Sequence, residues 1–207
     1  MKPSRWFAAY WAWQLKFENK RLRRWRQEIA GAADGRVLEI GCGTGANFGF
    51  YGNGVTSLVA LDPSPYMLGR ARAEALRLRR GADFVMASAE ALPFRDGAFD
   101  TAVSTANMCT IREPGRALGE IRRTLRPGGA YRFFDHVLYD HAFGRFWQRL
   151  ADPISTWLGA GCHVNRDVEE LVRGAGFQEV RTTFAKFLPP VPPLVFLRPH
   201  ILGVAIA

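Results

Sequence analysis

Cysteine is scarce in this chain. Cys42, Cys109 and Cys162 are the only three, an odd number, far apart and without C-x-x-C spacing. That pattern argues against a disulfide framework or a zinc site and fits a reducing compartment. Long apolar runs are missing too, since no stretch reaches the ~18 apolar residues that a membrane span needs. The start is basic (Met1, Lys2, Arg5), but Gln14, Lys16 and Glu18 soon interrupt the apolar character. No signal-peptide core is visible, and the expected location is cytoplasmic. No internal repeat is present, and the one biased segment runs from Pro189 to Pro193. Acid is in short supply: 19 Asp and Glu stand against 28 Lys and Arg, a formal charge of +9. The excess either attracts an anionic partner or rides on solvated helix faces, as Arg70, Arg72, Arg77, Arg79 and Arg80 do. No RNA-binding module or zinc knuckle accompanies it, so nucleic acid is not an expected partner.

What the chain does have is alternation. Its 207 residues suit one α/β domain, and from residue 36 onward strand and helix signals take turns, the pattern of a parallel sheet covered on both faces. Residues 37–45 read VLEIGCGTG. Val37 to Ile40 fit a buried strand, and Gly41, Gly43 and Gly45 let the next turn bring backbone N–H groups against a ligand. A dinucleotide loop spaces its glycines G-x-G-x-x-G; here they fall at alternate positions, with Glu39 two residues ahead. A second apolar run, Ser57 to Leu61, ends in Asp62, where a carboxylate can accept both ribose hydroxyls of a bound adenosine. The periodicity predicts a helix over 64–80, with Met67, Leu68, Ala71, Ala75 and Leu78 inward, and another from Pro114. A third is predicted from a cap near Asn165, with Asp167, Glu169 and Glu170 at its positive end. Final strands are predicted near 178–187 and 200–206.

These motifs, with Asp83 to Phe94, Gly97 to Thr105 and Leu125 to Phe134 in order behind them, resemble class I S-adenosyl-L-methionine methyltransferases. The resemblance implies a Rossmann-like α/β fold with a seven-stranded, mostly parallel sheet, an antiparallel terminal strand and helices on both faces. It implies S-adenosyl-L-methionine as cofactor and S-adenosyl-L-homocysteine as product. Gly41, Cys42, Gly43 and Gly45 would form the methionine-side loop, oriented by Glu39, with Asp62 on the ribose and Pro63 and Met67 against the adenine. Ser88, Ala89 and Glu90 would frame the adenine. Many small-molecule relatives carry Asp where Ser88 stands, so the backbone around Ala89 inherits that contact. Thr105 and Ala106 would meet the methionine amino group through the backbone. Residues 36–138 would then be the cofactor-binding half, 139–164 a substrate cap and 165–207 the last helix and strand pair.

Further runs narrow the resemblance. Gly41 to Tyr51, Leu61 to Pro65, Leu125 to Ala130, Asp135 to Val137, Trp147 and Gln148, Asp152 and Pro153, Gly161 and Cys162, and Arg198 to Gly203 are similar to the thiol S-methyltransferases. That resemblance implies a small apolar thiol as acceptor. It places Phe143, Phe146, Trp147, Trp157 and Arg198 in the substrate pocket, while an extra helix completing the core is the other reading of the cap. Four histidines compete for the proton, His136 at the carboxyl edge of the sheet and His200 ahead of His141 and His163 in the cap, with Asp135 placed to orient or charge the imidazole. No resident metal is expected. The alternatives are N- or C-methylation of a phospholipid headgroup or quinone, or a non-catalytic cofactor-binding partner protein. Residues 1–30 carry Trp6, Phe7, Tyr10, Trp11, Trp13 and Phe17 at helical spacing and then a basic run from Lys20 to Arg26. This is a lid over the cofactor, or a helix resting on anionic lipid through residues 1–26; the two are compatible.

Overall fold

Adjacent residues on a strand point to opposite faces of a sheet, and here both faces are apolar. The computed structural model describes residues 5–15, 18–139, 141–158, 161–163, 165–186 and 199–207. Seven strands form one sheet: β1 (Gly35–Ile40), β2 (Val55–Leu61), β3 (Asp83–Val85), β4 (Phe99–Thr105), β5 (Leu125–His136), β6 (Glu179–Lys186) and β7 (Pro199–Ile206). Their order is β3-β2-β1-β4-β5-β7-β6. The first five run parallel, whereas β7 lies antiparallel between β5 and β6.

The two faces bury separate cores. Leu38, Ala102 and Phe133 join Leu118, Ile121, Val168 and Val172 on one side. Their neighbours Val37, Val103 and Phe134 join Trp25, Ile29, Leu68 and Ala71 on the other. Helices α4 (Pro114–Thr124) and α6 (Val168–Gly174) therefore cover one face, α2 (Lys20–Ile29) and α3 (Pro65–Leu78) the other. Strands covered on both faces read as near-continuous apolar runs, which is why β1 and β4 are conspicuous in the sequence.

Local chemistry sets the helix ends. Ser64 caps α3, its Oγ accepting from Met67 N at 3.3 Å, with Pro65 in the first turn. Pro114 opens α4 as expected. The cap of α6 is Asp167 instead of Asn165: its Oδ1 accepts from Glu170 N at 3.0 Å. Residue 166 is held outside the helix because its carbonyl accepts from Leu138 N. The N-terminal segment is two helices, α1 (Arg5–Leu15) and α2, and not one. Asn19 Oδ1 accepts from Leu22 N at 3.0 Å and restarts the helix there. The cap region is more regular than its sequence predicts, with α5 spanning Ala142–Leu158 and Pro153 inside it. Buried Gln148 fastens α5 to the sheet: Oε1 accepts from Tyr139 N at 2.8 Å and Nε2 donates to Val137 O at 2.9 Å.

Candidate active site

Between β1 and β4 the winding of the chain reverses, and in open α/β sheets ligands bind in the crevice at such a point. The loop after β1 lines one wall. Gly41 and Gly43 have φ of 60° and 54°. A Cβ at Gly41 would overlap the Asn107 side-chain amide, which donates to Ile40 O at 2.6 Å. A Cβ at Gly43 would meet nothing within 4 Å. One glycine thus permits two loops to touch, and the other faces open space. On the Gly41 side lies a cavity of about 290 Å³, walled also by Pro63, Ser88, Ala89, Asn107 and Ile111 among others. A larger hollow of about 500 Å³ beside Arg116 and Glu120 lies open to solvent without a strand end or glycine loop in its wall.

Asp62 is buried at the end of β2. Its Oδ2 accepts from Gly43 N at 3.0 Å and its Oδ1 from Ser64 N at 2.8 Å. Burial pushes this carboxyl up, and the two N–H groups oppose that shift. A carboxylate offers about four acceptor sites, so the two bonds leave capacity for a diol. Glu39 is also buried. It accepts from Asn47 Nδ2 at 2.9 Å and from the Tyr51 hydroxyl at 3.0 Å. Burial raises it from 4.5 to about 7, against the lowering effects of Tyr51, Asn47 and the Arg26 charge.

The other expected cofactor residues divide. Ser88 Oγ and Glu90 are bonded to each other, with Oγ donating to Oε2 at 2.9 Å, and Glu90 Oε1 accepts from Glu113 N at 2.7 Å. Both are committed to the turn, and Ala89 remains as cavity wall. Pro63 is exposed on the wall; Met67 is buried in the first turn of α3. Cys42 is buried, and burial raises its thiol far above the ordinary range. Ala106 takes a left-handed φ of 53° with its N–H donated to Phe134 O at 2.8 Å. Such strain in a non-glycine residue gathers at functional sites.

Arg26 was not anticipated. It is 5% exposed, and its Nε donates to Glu18 Oε1 at 2.7 Å. Its Nη1 donates to Asn47 Oδ1 at 2.8 Å and to Thr105 Oγ1 at 3.0 Å, so the last residue of the basic run ties the segment after the glycine loop to the end of β4. Asn47 and Asn107 were missed as well. Asn47 stands two residues past Gly45, and that proximity was the available signal.

The catalytic expectations change most. Asp135 does not orient the His136 ring. Its carboxylate accepts from the backbone N–H groups of Asn107 (2.7 Å), Met108 (2.6 Å), Cys109 (3.3 Å) and His136 (2.9 Å). It clamps the loop after β4. His136 and His200 lie side by side, ring centroids 4.3 Å apart. Burial, with His200 beside it, holds His136 near 3 and therefore uncharged. Trp25 packs on His200 at 5.2 Å. His141 and His163 serve the cap itself: one accepts from Gly144 N, the other meets Asp152 at 3.1 Å. The expected aromatic pocket does not converge. Phe143, Phe146 and Trp147 are 72%, 61% and 38% exposed on α5, because the helix turns Gln148 inward instead. The Trp157 side chain and Arg198 lie outside the described residues.

Residues 38–133 match the family model of a methyltransferase domain. The chain is 35% identical over 201 residues to human thiol S-methyltransferase TMT1B, spanning 92% of this chain and 80% of that protein. Demethylmenaquinone methyltransferase of Renibacterium salmoninarum is 38% identical over 111 residues, but over 52% of this chain and 45% of its own. Haemonchus contortus phosphoethanolamine N-methyltransferase 2, solved with S-adenosyl-L-methionine, has the same fold. Its TM-score is 0.71 at 14% identity, covering 100% of this chain and 58% of that one. A crevice of this construction on this fold defines a class I methyltransferase dependent on S-adenosyl-L-methionine. Within that class, the chain belongs to the thiol S-methyltransferase family. The open face of Gly43 and the free acceptor capacity of Asp62 suit the cofactor.

Asp62→Ala is expected to weaken S-adenosyl-L-methionine by tenfold or more, since charge-assisted bonds are worth about 1.5–3 kcal/mol each. Gly43→Val is expected to abolish binding by filling the open space. Calorimetric titration of the folded variants checks both, and unchanged affinity in Asp62→Ala would remove that residue from the site.

Glu39 supplies a pH test. Its folded-state value is raised from 4.5 to about 7, so the stability tied to its neutral form is complete below 4.5 and lost as pH rises through about 7. Glu39→Gln cannot ionise. In cofactor-free protein it is expected to flatten the decline in melting temperature across that window, as scanning calorimetry would record.

Proposed function

We propose that the methyl acceptor is a small, fairly apolar thiol, converted to a methyl thioether. The observation that carries this is the extent of the likeness to human TMT1B. It spans 92% of the chain, far beyond the methyltransferase-domain match at 38–133 and beyond the half-chain likeness to the quinone enzyme. Cofactor binding alone does not demand the cap and tail, so likeness there speaks for the acceptor.

When bound, the cofactor supplies a methyl group made electrophilic by its sulfonium. The residues have three tasks: to hold the two reactants in line, to exclude water and to leave the thiol free to ionise. On this reading the backbone from Gly41 to Gly45 and the Asp62 carboxylate hold the cofactor, while Pro63 and Ala89 flank its adenine. Ser88 and Glu90 shape that turn, and the backbone at Thr105 and Ala106 faces the methionine end. Trp25 and Arg26 close the crevice from above. Orientation of this kind is worth up to about 7–11 kcal/mol of barrier. Little base strength is needed, because a thiol of ordinary pKa near 8.5 is already a few per cent thiolate at neutral pH. His136 and His200 then border the acceptor as walls of the crevice.

The N-terminal helices divide their work. On this reading α2 is the lid, fixed through Arg26 to Asn47 and Thr105. Exposed Trp6, Tyr10 and Trp13 on α1, next to the basic run, suit peripheral contact with anionic lipid. Among the described residues no helix is long and apolar enough to cross a membrane.

Formation of S-adenosyl-L-homocysteine against a panel of thiols, amines, phenols, quinones and phospholipids is expected to single out apolar thiols. The rate should rise with pH up to the acceptor's own pKa, so that a more acidic thiol shifts the limb downward. Methylation of amines or quinones with thiols untouched would refute the acceptor and leave the enzyme class standing.

Deleting residues 1–18 removes the Glu18 partner of Arg26 and is expected to cut turnover of a soluble acceptor. A truncated protein with full turnover that has lost only its binding to anionic vesicles would instead assign the whole segment to lipid.

A further inference from the structure

Three potential soft-metal ligands, distant in sequence, meet beside the crevice. Cys109 lies in the loop after β4, Cys162 in the cap and His136 at the end of β5. The two Sγ atoms are 3.3 Å apart. Together with an imidazole nitrogen, all three ligand atoms fall within 4.8 Å of one another. Donors about 2.0–2.3 Å from a tetrahedral ion stand roughly 3.5–3.8 Å apart, so small shifts bring this set into register. Nδ1 of His136 is buried and has no hydrogen-bond partner among the described residues. A buried nitrogen without a partner is costly, and the ring is not held by hydrogen bonding at that atom.

We propose that Cys109, Cys162 and His136 form a binding site for a soft or borderline divalent cation, of which Zn²⁺ is the natural occupant. Two thiolates and one imidazole are the donor set that selects zinc over calcium or magnesium. Three protein ligands leave a fourth position for water or another donor. Loading the ion expels the two thiol protons to solvent, and the imidazole contributes a lone pair, so the two thiolates balance the cation's charge. Cys109 is buried whereas Cys162 and His136 are half-buried, which leaves the cap side as the route of entry.

The neighbourhood is built to hold such an ion. Asp135 takes the Cys109 and His136 backbone N–H groups at 3.3 and 2.9 Å, and His163 N donates to Cys109 O at 2.8 Å. Arg166 holds the other end of the loop through Met108 O at 2.6 Å and through Ile111 O. The ion would join residues 161–163 of the cap to the loop that carries Asn107 and Ile111, both in the wall of the cofactor cavity. The site's existence does not depend on which acceptor the enzyme uses.

The test is titration of cobalt(II) into reduced, full-length, cofactor-free protein, followed by absorption. The expected result is one cobalt per chain with a thiolate-to-cobalt charge-transfer band in the near ultraviolet, which Zn²⁺ displaces. Cys162→Ser and Cys109→Ser are expected to lose the band. Circular dichroism and S-adenosyl-L-methionine binding establish that each variant is folded. Should buried Cys109→Ser fail to fold, half-buried Cys162→Ser decides. A wild-type protein without the band, or a folded Cys162→Ser that retains it, would overturn the proposal. Thiol methylation is not the readout, so failure here leaves the acceptor assignment untouched.

Discussion

The reversal of winding between β1 and β4 is the constraint on which the rest of this molecule depends. Chains leaving the two strands depart toward opposite faces, so no crossover helix covers the strand ends between them. The loops that remain must pass close to each other without closing the gap. Gly41 allows that contact because it has no side chain to strike Asn107. The Asp135 carboxylate holds the opposite loop by accepting four backbone N–H groups. Charge-assisted bonds of this kind are about twice as strong as neutral ones, and the result is a rigid lip on a crevice that stays open.

Polar groups around the crevice are buried in a connected set. Glu18, Arg26, Asn47, Glu39 and Tyr51 form a chain of bonds from the N-terminal segment to the centre of the sheet. Arg26 and Glu18 are each only 6% exposed in their side chains. An ion pair so buried adds little net stability, because desolvation offsets the attraction, but removing one partner costs about 3–5 kcal/mol. Its effect is therefore on position. The network fixes α2, whose Trp25 packs on Phe134 of β5 and His200 of β7, with Arg26 at the end of β4, since any other placement strands a charge in the core.

The frame and the acceptor are separate matters. A phosphoethanolamine N-methyltransferase shares the fold at 14% identity, and a quinone methyltransferase shares half of the chain. Function lives in sites carried on folds. Here α2 and the segment around Cys162 add to that frame: Trp25 packs on His200 of β7, and Cys162 meets Cys109 of the loop after β4. Exposed Phe143, Phe146 and Trp147 on α5 are turned outward by the inward hold on Gln148.

The sequence by itself determined the strands, the helices from 64 and 114, the glycine loop and the position of Asp62. Those features are written in short-range signals: continuous apolar runs, near-four-residue apolar periods, Pro at a first helical turn, glycines where φ is positive. Boundaries that hinge on competition were less legible. Asn165 and Asp167 are both good caps, and only the Leu138 bond to residue 166 decides between them. Nothing local announces that Arg26 reaches Thr105, that Asp135 serves loop N–H groups rather than a ring, or that Cys109 and Cys162 meet. Each of these joins residues from different strand ends or from the cap. The tertiary structure alone decided them, because side chains become neighbours at a sheet edge through strand order and chain crossing, and neither leaves a periodic trace along the chain.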